Sequence, residues 1–270
     1  MSAFMNHFSF EFRTGIRNKE LLLMNYLFPL GFYVMAGMFV TELNPAFRET
    51  VIPSMILFAI MVSMLLGLPQ PLVTAREVGI FRSYKINGVP AISILTIPAL
   101  TTMLHTLIVA VVITATAPLI FDAPLPVNWP GFIVVFLLTA FAFIGISLLI
   151  SVISSSSRAT VLWSQLIFLP SMMIGGLMIP AHMMPDALAR IGMLLPSTYS
   201  MSAFQRLAKN WTIGFDPYWS LAVLLAGGVL SFGLAIYLFC WDSHNRTQRG
   251  HPMLALLALL PYALGALLLW

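Results

Sequence analysis

Along this chain, long apolar runs alternate with short clusters of charge. Residues 21–40, 51–73, 86–121, 123–157, 159–185, 217–241 and 250–270 contain no Asp, Glu, Lys or Arg. The hydrocarbon core of a bilayer is about 30 Å thick, and a helix rising about 1.5 Å per residue crosses it in roughly 20 residues. Each run can hold a crossing, so the pattern predicts an all-α polytopic membrane protein with six core spans and a seventh hydrophobic segment. The alternation of a membrane β-barrel is absent.

Ahead of the first run, Phe4, Met5, Phe8, Phe12 and Ile16 fall on one side of a helical projection and Arg13 and Arg17 on the other. That is the pattern of an amphipathic helix lying in the membrane interface, and Phe10 breaks it. The fifth run carries Pro170, Gly175, Gly176, Pro180 and Pro185, with Pro196 following. So many helix breakers predict a span from 160 to about 180, then short helices at the outer face. Pro185 and Asp186 suit the start of one of them. The predicted organisation is an interfacial helix over 1–20, a six-span unit over 21–241, and a C-terminal linker with its further hydrophobic segment over 242–270. Within the six-span unit lie a charged loop at 74–90 and short external helices at 181–210.

Hydrophobic residues make up 60% of the chain and charged residues 8%, with a net charge of +4. Lys and Arg favour the cytoplasmic side. An N-terminus inside leaves only Arg48, Arg190, Arg206 and Lys209 outside, while Arg13, Arg17, Lys19, Arg76, Arg82, Lys85, Arg158, Arg246 and Arg249 fall inside. The expectation is a multi-pass protein of a prokaryotic cell membrane with a cytoplasmic N-terminus. The basic excess belongs to these loops, and nucleic acid is not an expected partner. Glu11, Arg13, Arg17, Lys19 and Glu20 ahead of the first run argue against a cleaved signal. The single Cys240 allows no internal disulfide.

Chemistry is sparse. His7, His105, His182, His244 and His251 are scattered without metal-ligand spacing, and only His105 lies deep in a span, where a hydrogen bond to a neighbouring helix is expected. No GxSxG, HExxH or GxxxxGK[ST] occurs, and no carboxylate stands inside a span to relay protons. No polar cluster at matching depth on different spans is evident. The Asn-x-Thr matches at Asn210 and Asn245 carry no weight as glycosylation sites. What stands out is the loop "REVGIFRSYKINGVPAI", where Ile80, Phe81 and Tyr84 share one side of a short helix and Arg82 takes the other. Such a helix either lies on the membrane or docks into a partner.

Taken with the interfacial helix and the later stretch "GGLMIPAHMMPDALARIGMLLPSTY", this loop resembles the ABC type-2 permeases, the membrane subunits of ATP-binding cassette exporters. The resemblance covers residues 1 to about 241, and the seventh segment exceeds the common six-span plan of that family. It implies a coupling helix made by Arg76, Glu77, Gly79, Phe81, Arg82, Tyr84 and Lys85, seated on a separate cytoplasmic ATPase present in two copies. Arg76 and Glu77 would offer polar contacts, Gly79 close backbone approach, and the aromatic side an anchor. The chain itself would bind no cofactor; ATP and Mg would belong to the ATPase. A second permease copy or a homologous permease would complete the path through the bilayer. In the family spans two and five line that path, which here carry Met55, Phe58, Met61, Met64, Phe168, Met172 and Met173. Methionine-rich surfaces adapt to varied apolar ligands, so a drug-like or lipid-like amphiphile is the expected cargo.

Overall fold

In a computed structural model of the chain, the described residues are 2–179, 184–212, 215–242 and 250–268, with side chains from residue 8 onward. The side chains of Phe4, Met5 and His7, and residues Pro180, His182, His244, Asn245, Arg246 and Arg249, lie outside them. Helix α1 (Ser2–Arg17) ends at Asn18, whose extended backbone turns the chain. The Asn18 side chain accepts from the Glu20 and Leu21 amides and so caps α2 (Lys19–Leu43). There follow α3 (Val51–Glu77), the short α4 (Ile80–Ile86), α5 (Ala91–Phe121) and α6 (Trp129–Ile153). The remainder comprises α7 (Ser157–Ile174), α8 (Asp186–Gly192), α9 (Pro196–Ala203), α10 (Pro217–Leu238) and α11 (Pro252–Leu268).

The chain is a polytopic helical membrane protein. Among the described residues, five helices are long and apolar enough to cross a bilayer: α2, α3, α5, α6 and α10. The other two expected spans are built differently. Helix α7 has 18 residues and includes Arg158, Ser164 and Gln165, which lower its hydropathy. Segment α11 opens with 8 residues of 3-10 helix and continues with 9 of α-helix, an extent of about 30 Å. It packs along α10, with the Tyr262 ring against Gly227 and the Tyr199 ring of α9 against Gly265.

Helix α3 is the centre of the bundle. Its residues Val51 to Leu65 are buried on every side, as expected of a helix that is apolar all round. It carries a π-helical turn at Val62–Gly67, facing a second at Leu23–Leu27 in α2. A wide turn frees backbone carbonyls, and Ser147 of α6 donates to that of Met64 at 2.5 Å. The stretch predicted to lie at the outer face divides in two. Helix α8 is on the surface, whereas every residue of α9 is buried among α3, α6, α7 and α10. Part of its polarity is absorbed locally, Ser200 donating back to Pro196 O and Thr198 to Gly192 O, and Tyr199 donates to Tyr262 O of α11, while the buried Ser197 hydroxyl has no partner.

Candidate functional site

The charged stretch that interrupts the apolar pattern sits where α3 gives way to α4. Arg76 is 6% exposed, and its guanidinium donates to the carbonyls of Val152, at 3.0 Å, and Ser154. Those carbonyls belong to the last turn of α6 and to the residue that caps it. The Glu77 carboxylate accepts from Ser157 N at 3.2 Å and Ser157 Oγ at 2.7 Å, at the first turn of α7. A cation at a helix C-terminus and a carboxylate at a helix N-terminus both complement the macrodipole. Adjacent residues of opposite charge thus hold the two ends of the α6–α7 connection, and Ser156 completes it by accepting from Ala159 N.

Sequence reasoning assigned Arg76 and Glu77 to contacts with a partner; the structure uses both within the chain. It also reverses the expected aromatic side of α4. Phe81 is buried and stacks on Phe239 beyond α10 with ring centroids 5.8 Å apart. Tyr84 is half-buried, its pKa raised by burial and by the Glu11 charge. Arg82 pairs with Asp242 at 2.6 Å. Gly79 meets no neighbour, so it is required for its left-handed backbone, φ 82°, at the start of α4 rather than for close approach. The surface left outward is Val78, Ser83, Lys85 and Ile86, the last 86% exposed.

Beside this clamp, a cavity of about 480 Å³ opens between α2, α3 and α7. Asn18, Glu20, Gln70, Thr74, Ser164 and Gln165 supply its polar groups, and Leu21, Met24, Leu66 and Val161 are among its apolar ones. The Ser164 hydroxyl and the Gln70 carbonyl oxygen are buried without a hydrogen-bond partner. A polar cluster contributed by different helices therefore exists, although none was evident along the chain. Its signal was Gln70 and Gln165, amides near corresponding ends of two apolar runs. The predicted path residues lie elsewhere: Met55, Phe58, Met61, Met64 and Phe168 are packed into the core, with Phe58 against Phe28, Phe32 and Phe168. Met172 is half-buried against that core and Met173 faces outward.

A second polar site joins α1 to the bundle. His105 of α5 shares a 2.7 Å hydrogen bond with the Tyr26 hydroxyl, which supplies the bond expected from a neighbouring helix. The Phe12 ring stacks on the imidazole at 4.4 Å, and Gly15 leaves room for its Nε2 edge. No group of three His, Cys, Asp or Glu side chains that could hold a metal ion occurs among the described residues.

These features define a helical membrane bundle with a clamped loop helix at one end and a polar cavity beside it. A family profile of ABC-2 family transporter proteins matches residues 18–237. The chain belongs to that family. It is also similar to the "Putative transport permease YvfS" of Bacillus subtilis (strain 168), at 24% identity over 228 residues, covering 83% of this chain and 91% of that protein.

Proposed function

We propose that the chain is the permease subunit of an ABC exporter. A separate ATPase, in two copies and loaded with ATP and Mg, would dock on the end that carries α4. That end would face the cytoplasm, and a second copy of this permease or a homologue would complete the path. The observation that carries this reading is the construction of α4. Its inner side is fastened by Phe81 and Arg82 to the segment after α10, and the preceding residues grip α6 and α7. Its outer side leaves Ser83, Lys85 and Ile86 without cover. A push on that face would move α3, α6 and α7 together rather than bend a loose loop.

The cavity beside the clamp supports an amphiphilic cargo. Its amide and hydroxyl groups, with the single Glu20 carboxylate, suit a hydrogen-bonding head that is neutral or cationic, and its apolar residues suit a tail. The test is co-purification from native membranes in mild detergent, comparing wild type with K85E/I86D. A soluble ATPase retained in stoichiometric amount by wild type and lost from the variant is the expected outcome. A wild-type preparation with no nucleotide-binding partner would leave a transporter that works without ATP, and the proposal would fall.

A further inference from the structure

Helix α1 has two faces of different character. Phe8, Phe12 and Gly15 lie on one side, where Phe12 and Gly15 meet His105 of α5. About 180° away stand Phe10, Arg13 and Arg17, spaced three and four residues apart and so stacked along one stripe. Phe10 is 64% exposed, and both arginines are exposed. With Ser9, Thr14 and Asn18 they line a groove of about 660 Å³. Among the described residues neither Arg13 nor Arg17 has an ion pair or hydrogen bond. Glu11, the acid within α1, is turned about 120° away from Arg17 and acts on Tyr84, and Glu20, three residues after Arg17 beyond the Asn18 turn, lines the neighbouring cavity. The groove's lining therefore carries two guanidinium groups and no carboxylate, with Glu11 in the adjoining cavity that Phe10, Thr14 and Asn18 also line.

We infer that this groove binds the phosphodiester headgroup of an anionic phospholipid. Planar guanidinium forks match phosphate oxygens, and two of them without a carboxylate favour a headgroup with net negative charge over a zwitterionic one. Phe10 gives the site its membrane character. An exposed ring on the same stripe as the arginines enters the acyl boundary while they reach the phosphates, as in interfacial helices generally. Helix α1 leads directly into α2 at Lys19, so the groove lies at the level where a bilayer presents its headgroups. This also accounts for Phe10, which interrupts the apolar face of α1: it belongs to the lipid-facing stripe. Asn18 lines both this groove and the cavity between α2, α3 and α7, so the bound headgroup stands at the cavity's edge.

The experiment uses the full-length protein in mild detergent. Its thermal midpoint is titrated with phosphatidylglycerol, phosphatidylcholine or inorganic phosphate, and retained lipid is counted by native mass spectrometry. Phosphatidylglycerol should raise the midpoint and remain bound, while phosphatidylcholine and phosphate should do neither. R13Q/R17Q should weaken the apparent affinity for phosphatidylglycerol about 30-fold, taking each basic residue near a surface at its usual contribution. R13K/R17K, which keeps the charge but not the fork, should fall between wild type and R13Q/R17Q, and R48Q at the opposite end should respond as wild type. Equal responses to phosphatidylglycerol and phosphatidylcholine, an equal response to phosphate, or unchanged affinity in R13Q/R17Q would each overturn the assignment.

Discussion

Replacing Arg76 with methionine tests whether the clamp is structural in the way its geometry indicates. The side chain is buried, and its guanidinium serves carbonyls at the C-terminus of α6. A hydrogen bond to a charged group contributes about 1.5–3 kcal/mol net. A partly buried cation at a helix C-terminus contributes up to about 2 kcal/mol. These overlap, because the same N–H groups produce both. A loss of about 3 kcal/mol is therefore expected, since methionine fills part of the volume but leaves the carbonyls without their donor. For a chain of this size each kcal/mol moves the thermal midpoint by about 2–4 °C, so R76M should melt about 6–12 °C lower. Tryptophan fluorescence of the purified protein during heating measures it. Arg82→Met is the internal comparison: its ion pair with Asp242 is short, but Arg82 is exposed and screened, so its shift should be far smaller. Equal shifts for R76M and R82M would refute the reasoning, because burial and helix-end placement would then contribute nothing.

Two other outcomes follow from particular contacts. A Cβ on Gly15 would collide with the His105 ring, so Gly15→Ala should cost about 1–3 kcal/mol, and the cost should largely vanish in a His105→Ala background; a double-mutant cycle of thermal midpoints measures it. Burial lowers the pKa of Lys209, and the charge of Glu49 at 3.9 Å opposes that only in part. Between the lowered value and 10.5 the unfolded chain binds more protons than the folded one, so stability rises with pH across that window. Lys209→Met should abolish this rise in chemical-denaturation curves measured from neutral to alkaline pH.

The membrane class was legible because it depends on a sum over many residues. Runs without charge longer than a bilayer crossing admit few other folds, and local errors average out. Span limits were less legible where helix type changes. Nothing in "PMLALLAL" distinguishes 3-10 from α-helix, though the choice nearly decides whether α11 is long enough to cross. The burial of α9 was hidden for a different reason. "PSTYSMSA" has the polarity of a surface turn, but its Ser200 and Thr198 hydroxyls bond to nearby backbone carbonyls, so burying them costs little. The methionines of α3 illustrate the converse. An apolar side chain inside a bilayer can face lipid, a path or another helix, and only its neighbours decide which.

The charged loop shows most clearly what a sequence withholds. Arg76 and Glu77 stand out because charge is rare here, and rarity draws attention to function. Yet the residues that meet them, Val152, Ser154 and Ser157, contribute backbone groups and a hydroxyl, none of which stand out in a string of letters. Arg76 and Glu77 therefore face inward to helix ends, and the outward face of α4 is left to Ser83, Lys85 and Ile86. The arrangement has a mechanical consequence. A loop that holds the end of α6 through one side chain and the start of α7 through the next couples both to α3. Under the proposed coupling role, movement imposed on α4 would be shared among three helices, and the polar cavity lies between two of them, α3 and α7.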